Sequence, residues 1–193
     1  MKISLHPFIT GCAFCLYGLI SGNAYAQTFA LEAGEKNIAA AYTTPAMKAF
    51  APALIFDARL LYTRENNHQD LFAGAGLIAF TDITSQLELG IGLSIIAADP
   101  LASYLSALAP GAELVYRPSN MPRLKLFTNG YYATHALTFS QGRSVAMQSF
   151  NADYRLSAHS AFRIGYRRIR MVLNNGIITD FNRGVYLGLL WNF

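Results

Sequence analysis

Residues 87–95 read LELGIGLSI, a strict alternation of aliphatic residues with small or polar ones. Every odd-numbered position is Leu or Ile, and every even-numbered position is Glu, Gly or Ser. Successive side chains of a β-strand point to opposite faces, so this stretch predicts a strand with one aliphatic face. The same alternation elsewhere predicts strands at 53–64, 70–81, 86–96, 107–117, 122–133, 146–157, 161–172 and 184–193.

The length of these strands favours a membrane protein. A tilted strand needs about 9 to 11 residues to cross a bilayer, whereas ordinary strands have about 5 or 6. The predicted connections mostly alternate between short and long, which is typical of outer-membrane barrels and has no reason to occur in a soluble barrel. These connections cover 65–69, 82–85, 97–106, 118–121, 134–145, 158–160 and 173–183. We therefore predict an all-β protein, a small antiparallel transmembrane β-barrel.

The number of strands stays open between eight and ten. The predicted strands begin at residue 53, and residues 27–52 precede them. Within that region, Thr28–Gly34 and Asn37–Thr44 can form a further hairpin. Bacterial single-chain barrels have an even number of strands, so both counts are admissible.

The composition excludes several classes of protein. Of the 193 residues, 53% are hydrophobic and 13% are charged, with a net charge of +4. The charged fraction is about half the globular norm of roughly 25%, and the high hydrophobicity excludes disorder. After residue 26 there is no uncharged apolar run of about 18 residues, which excludes a helical membrane bundle. A periplasmic soluble β-barrel that binds a lipid or other apolar ligand remains an alternative, although its exterior would have few charges.

The first 26 residues have the features of a secretory signal peptide. Lys2 precedes an uncharged stretch at 8–20, and Ala24 and Ala26 occupy the −3 and −1 positions of an expected cleavage site. The uncharged stretch is shorter than the roughly 20 residues of a spanning helix. We expect residues 1–26 to be removed and residues 27–193 to form one domain in the outer membrane of a Gram-negative bacterium.

The end of the chain has the pattern of a membrane-inserted strand. Leu189, Trp191 and Phe193 lie on one predicted face of the last strand. Outer-membrane barrels commonly finish in such an aromatic-ended strand, which the barrel-insertion machinery recognises. We expect this machinery, outer-membrane lipid and lipopolysaccharide to be the partners of the protein.

Several short motifs resemble the YfaZ family of bacterial outer-membrane proteins. They are Tyr131-Tyr132-Ala133 with Leu137, residues 165–169 (GYRRI), residues 184–188 (GVYLG) and the terminal Phe193. The resemblance covers mainly residues 124–193. It implies a small outer-membrane β-barrel and supplies no catalytic residues.

Charged residues on the polar faces form the candidate functional cluster. In a barrel of eight to ten strands they would point into a lumen with little room beyond the side chains themselves. We expect opposite charges to pair there as a plug, in preference to a narrow gated ion path lined by Arg163 and Arg167. The expected lumen residues are Glu88, Glu113, Arg117, Lys125, Asp153, Arg155, Arg163 and Arg167.

Other motifs do not support catalysis or cofactor binding. Residues 74–79 fit a G-x-G-x-x-A string, but no helix is predicted after it, as a dinucleotide site requires. His68, His135 and His159 are too far apart in sequence for a metal site. We predict no catalytic residue, cofactor, metal or nucleic-acid partner, and either a structural role in the envelope or narrow passive pore activity. An outer-membrane lipid-modifying enzyme that uses His135 and Ser140 is a further alternative.

Overall fold

The structure is a computed structural model that describes residues 27–47, 53–65 and 68–193, so the predicted signal peptide lies outside the described residues. The described residues form eleven strands and two single-turn 3-10 helices, Pro100–Ala102 and His135–Leu137. The strands are β1 (Thr28–Gly34), β2 (Asn37–Met47), β3 (Ala53–Glu65), β4 (His68–Asp82), β5 (Leu87–Ala98), β6 (Leu105–Tyr116), β7 (Leu124–Ala133), β8 (Thr138–Ser140), β9 (Gly142–Arg155), β10 (Ser160–Leu173) and β11 (Ile178–Asn192).

The long strands form one closed antiparallel barrel. Each pairs with the next along the chain, and β11 returns to pair with β1 through the register Leu31↔Leu189. The three-residue β8 extends the pairing of β6 beyond the point where β7 ends. The described wall therefore has ten long strands. The N-terminal hairpin of β1 and β2 supplies the two strands whose presence the sequence did not decide.

The predicted alternation of short and long connections is wrong. The predicted loop at 173–183 is reduced to 174–177, and the loop at 134–145 is reduced to 134–141 and contains β8. By contrast, the connection between β6 and β7 extends over 117–123. The side-chain alternation fades near the strand ends, but backbone N–H and C=O groups continue to pair beyond it, because an unpaired group costs free energy.

The barrel exposes its aliphatic residues and buries its charged ones. Ile91 and Ile95 on β5 are 68% and 65% exposed, whereas Glu32 and Arg167 are 1% and 2% exposed. A soluble barrel has the opposite arrangement, so the alternative of a soluble ligand-binding barrel is wrong. Among the described residues, no helix is long and apolar enough to cross a membrane.

The interior is divided into two layers along the barrel axis. We call the end where β1 begins and β11 ends the proximal end, and the opposite end the distal end. Large apolar side chains fill the distal half and form the apolar layer. Polar and charged side chains occupy the middle and the proximal half. The apolar layer includes Leu61, Phe72, Ile96, Leu105, Val145, Ile169, Met171, Leu173 and Phe181.

A β-bulge adds one aromatic ring to the apolar layer. In the pairing of β10 with β11, Ile169 is opposite Asn182 but Arg170 is opposite Asp180. Phe181 is the extra residue on β11, and its ring is buried. A bulge leaves one residue unpaired and redirects its side chain, which here points into the lumen.

Candidate functional site

A buried ion-pair network occupies the centre of the lumen. Glu32 on β1 accepts a hydrogen bond from Arg163 Nη1 at 3.0 Å and another from Arg167 Nη2. Arg163 also donates two hydrogen bonds to Asp153, from Nε at 2.7 Å and from Nη2 at 2.8 Å. The Arg163–Asp153 pair is bidentate, a geometry that makes an ion pair strong and fixes its orientation. The network therefore joins β1, β9 and β10 across the interior.

Polar side chains of the same region support Arg167. Its guanidinium carbon lies 4.3 Å from the centre of the Tyr186 ring, within cation–π distance. The Tyr186 hydroxyl donates a hydrogen bond to Asn151 Oδ1, and Asn151 Nδ2 donates to Ser149 Oγ at 2.9 Å. Gly165 lies beside this cluster, where a Cβ would collide with Asn151 and Tyr186. The small residue at 165 therefore makes room for the polar cluster.

Three charged residues around the central network are not among those predicted from the sequence. Glu32 is the acceptor shared by the arginines, and Arg59 Nη2 lies 3.9 Å from its Oε1. Asp57 faces the same chamber from β3. Asp57 and Arg59 alternate with the apolar residues of β3, so the period-two pattern places them on the same inward face as the other polar positions. This alternation was a usable signal in the sequence. Glu32 lies in the N-terminal hairpin, and neither the strand count nor the register of that hairpin was settled by the sequence.

A chamber of about 170 Å³ lies beside this network, and we call it the polar chamber for its charged side chains, although apolar side chains line it as well. Arg59, Arg163, Arg167, Asp57 and Glu113 are among its lining residues. The Nε atoms of Arg59 and Arg167 and the Nη1 atom of Arg167 are buried without a hydrogen-bond partner among the described residues. A polar chamber of this size has room for several water molecules, which need about 10–15 Å³ each by this measure. The chamber is thus suited to hold water against the free N–H groups.

The remaining predicted lumen residues lie towards the proximal mouth. Glu88 and Arg117 form an ion pair there, with the side chain of Arg117 about half exposed. Arg155 is exposed and donates to the carbonyl of Pro122 at 3.3 Å, so it does not belong to the buried network. A cavity of about 300 Å³ at this mouth is lined by basic residues, with Asp153 as the acidic member. Its basic residues are Arg117, Arg123, Lys125, Arg155 and Arg163.

Lys125 and Glu113 face the chamber without a close ion pair. Lys125 Nζ and Arg163 Cζ each lie 4.8 Å from the centre of the Phe127 ring. Among the described residues, neither Lys125 nor Glu113 has an opposite charge within 4.0 Å. The eight predicted lumen residues therefore fall into three groups. Asp153, Arg163 and Arg167 belong to the central ion-pair network, and Glu88 and Arg117 form an ion pair at the proximal mouth. Glu113, Lys125 and Arg155 belong to neither group.

The apolar layer closes the lumen on the distal side of the chamber. Phe72 on β4 and Phe181 on β11 have ring centres 6.0 Å apart. Three strands, β1 to β3, separate β4 from β11 in the wall, so this contact crosses the lumen. The polar chamber is consequently open towards the proximal mouth and blocked at its distal side.

The aromatic end of β11 faces outwards at the proximal end. Leu189 is half exposed, and Trp191 stacks on Phe29 of β1 with ring centres 6.2 Å apart. The backbone N–H of Phe193 donates to the carbonyl of Gln27 at 2.9 Å, which extends the seam between β1 and β11. Aromatic residues at this level are typical of the interfacial girdle of a membrane barrel.

The other motifs lie in ordinary wall and loop positions. Residues 74–79 are inside β4, where no helix follows. His135 lies in a 3-10 helix and Ser140 ends β8, and among the described residues no hydrogen bond joins them. His159 Nδ1 lies 3.3 Å from the carbonyl oxygen of Asn192. The described part of the chain contains no group of three His, Cys, Asp or Glu residues arranged to bind a metal ion.

Together, the closed sheet, the lipid-compatible exterior and the charged lumen define an outer-membrane β-barrel. The family model described as "YfaZ precursor" matches residues 10–193, which is nearly the whole chain. This protein belongs to the YfaZ family. No curated protein matches the sequence.

Two solved outer-membrane barrels are similar to the chain at low identity. The KdgM porin has 8% identity and a TM-score of 0.49, with 87% of this chain and 99% of the porin covered. The outer membrane channel DcaP of Acinetobacter baumannii has 12% identity and a TM-score of 0.43, with 89% of this chain and 59% of the channel covered. At these scores, the assignment of the fold rests on the strand pairing of the chain itself.

Proposed function

We propose that this protein is a narrow passive channel of the outer membrane and that the apolar layer is its gate. The observation that carries the proposal is the Phe72–Phe181 contact across the lumen, directly beyond a charged chamber. Hydrophobic constrictions close channels by excluding water, and charged residues next to them attract ions to the entrance. In the described conformation the channel is shut.

The presence of buried charges around the chamber, despite the free-energy cost of burying them, supports a role in the passage of polar solutes. Burying paired charges is often no more stabilising than filling the same space with apolar side chains. A barrel with a purely structural role could be filled with apolar side chains throughout, in the way that the apolar layer fills part of the distal half of this lumen. The wall of this chamber instead has cations such as Arg59 and Lys125 and anions such as Asp57 and Glu113. Charges of both signs would lower the barrier for small hydrated solutes.

The same geometry favours a non-enzymatic role. Several inward polar residues are used in ion pairs and side-chain hydrogen bonds, as at Glu32, Asp153 and Asn151. A lipid-modifying enzyme of the kind considered above needs a nucleophile and a base within hydrogen-bond reach. His135 and Ser140, the pair suggested by the sequence, have no such bond between them in the described structure.

Conductance in planar lipid bilayers tests the gate. We expect the wild-type protein to open rarely, with a small conductance. The double variant Phe72→Ser/Phe181→Ser should open much more often, because it removes both rings and lets water enter the layer. Phe139→Ser is the matched control, since Phe139 is exposed on β8 at the same distal end.

A milder variant tests the same gate if the double variant does not fold. Ile96 is fully buried in the apolar layer, and Ile96→Thr replaces its ethyl branch by a hydroxyl group, a smaller change than the loss of two aromatic rings. Heat-modifiable mobility on a detergent gel verifies that each variant forms a closed barrel. If folded Ile96→Thr and the double variant are both as silent as wild type, the channel proposal is wrong and a structural role in the envelope replaces it.

A further inference from the structure

Two arginines lie directly opposite each other on the outer wall of the barrel. Arg168 on β10 pairs in register with Arg183 on β11, and Arg170 follows on the same face of β10. Their neighbours Arg167 and Ile169 are buried inside the lumen, so Arg168 and Arg170 point outwards. We call Arg168, Arg170 and Arg183 the arginine patch.

The charges of the arginine patch are only partly balanced by the protein, since three arginines share one acidic partner. Like charges directly opposite on neighbouring strands destabilise a sheet. Asp180 is the acidic partner of Arg168, at 3.3 Å from its Nε. Arg170 and Arg183 are exposed. Asp180 is opposite Arg170 in register, but it pairs with Arg168, and neither Arg170 nor Arg183 has an acidic residue within ion-pair distance among the described residues. An external anion would remove the repulsion between these side chains.

The height of the patch places it at a membrane surface. Between Trp191 and Arg183, the outward positions of β11 are Leu189, Leu187 and Val185. Eight residues of strand extend over about 26 Å, or about 20 Å of height at the usual tilt near 40°. The apolar band of an outer-membrane barrel is about 25 Å tall. With Trp191 in one interfacial girdle, Arg183 lies close to the other interface.

The orientation of the barrel decides which leaflet this is. An even number of antiparallel strands places the start of β1 and the end of β11 at the same end of the barrel, and we assign this end to the periplasm, the side from which the strands are inserted. The proximal end then faces the periplasm and the distal end faces outwards. The arginine patch lies on the distal side of the apolar band, at the level of the outer-leaflet headgroups.

We propose that the arginine patch binds the phosphate groups of an outer-leaflet glycolipid of the lipopolysaccharide type. Guanidinium groups match phosphate oxygens in bidentate geometry and keep their charge at all relevant pH values. The exposed aliphatic row at Val185 and Leu187, immediately below the patch, provides a surface for the acyl chains of the same lipid. The proposal does not depend on whether the lumen conducts.

Native mass spectrometry of the protein in detergent micelles tests this binding. The probe is lipid A with both phosphates, compared with dephosphorylated lipid A. We expect wild type to hold bis-phosphorylated lipid A and the variant Arg170→Gln/Arg183→Gln to bind it about tenfold or more weakly, the size of one lost charge-assisted hydrogen bond. Arg123→Gln is the matched control, because Arg123 is exposed in the connection at the proximal end.

Three results would overturn the proposal. The first is equal binding by wild type and the folded double variant. The second is equal binding of phosphorylated and dephosphorylated lipid A, which would show that only the acyl chains are recognised. The third is full displacement of lipid A by millimolar inorganic phosphate, which would identify the patch as a site for free anions. Heat-modifiable mobility again verifies that the compared proteins are closed barrels.

Discussion

Glu32 on β1 and Arg163 on β10 form a buried ion pair with Nη1 and Oε1 3.0 Å apart, although β11 lies between their strands in the wall. The residue of β11 directly opposite Glu32 is Gly188, and Gly188 is also opposite Arg163. Because Gly188 has no side chain, the carboxylate and the guanidinium meet above it. The pair ties the N-terminal hairpin to the C-terminal strands across the seam that closes the barrel.

Replacing Glu32 should destabilise the barrel strongly. Glu32→Ala removes the acceptor shared by Arg163 and Arg167 and leaves buried positive charge without compensation. Breaking a buried ion pair in this way costs about 3–5 kcal/mol. Urea unfolding in lipid vesicles measures the loss, and Glu35→Ala in the exposed turn should stay within about 0.5 kcal/mol of wild type.

A second substitution should restore part of that stability. Adding Arg167→Met to Glu32→Ala removes one of the uncompensated charges and retains an unbranched side chain in place of the arginine stem. We expect the double variant to be more stable than Glu32→Ala alone. A double variant that is as unstable as the sum of the two single variants would show that the charges do not interact.

A charge on the aliphatic exterior should prevent insertion. Ile91 is exposed near the middle of β5, and an Arg at the bilayer midplane costs about 2 to 4 kcal/mol. We expect Ile91→Arg to reduce sharply the amount of heat-modifiable protein in the outer-membrane fraction. The control is Ile177→Arg, which places the same charge in the distal turn at 174–177. Normal recovery of Ile91→Arg would show that this face does not contact lipid.

A methyl group at Gly111 should disturb the wall between β6 and β7. A Cβ at this position would overlap the Tyr131 ring and the carbonyl oxygen of Gly130, and the ring has little freedom to move because it is buried. Overpacking of this kind costs about 1–3 kcal/mol. Gly184→Ala is the matched control, because nothing lies within 4 Å of its Cβ position. The comparison uses the midpoint of thermal unfolding, and equal midpoints would contradict the prediction.

The aromatic end of β11 should control the rate of assembly. We predict that Phe193→Ala slows the appearance of the heat-modifiable form after a pulse of synthesis, since Leu189, Trp191 and Phe193 are the proposed signal for the insertion machinery. Phe139→Ala removes an exposed aromatic residue outside this strand and should assemble at the wild-type rate. If Phe193→Ala assembles equally fast, the signal lies elsewhere.

The sequence predicted the strands better than their connections. The alternation at 87–95 corresponds to the outward row of β5, and the strand ends at 97–106 were misplaced by only a few residues. At 173–183 the error was larger, because Asp180, Phe181 and Asn182 break the alternation at the bulge while the backbone pairing continues. Side-chain periodicity reports which face a residue occupies, but it does not report where backbone pairing stops.

The candidate site was predicted in part for the same reason. The alternation of polar and apolar residues along each strand was enough to place Asp153, Arg163 and Arg167 inside the lumen. It could not select Glu32 as their shared acceptor, because that choice depends on which strands become neighbours when the sheet closes. The Phe72–Phe181 contact was equally invisible, since residues more than a hundred positions apart meet only across the closed lumen.

The sequence by itself determined an all-β chain with one aliphatic and one polar face on each strand. Alternation is a local property, since successive side chains of a strand point to opposite sides whatever the rest of the chain does. Only the tertiary structure decided that the wall has ten long strands and that an apolar layer blocks the lumen. These features depend on closure, because which side chains share the interior is fixed only when β11 pairs with β1.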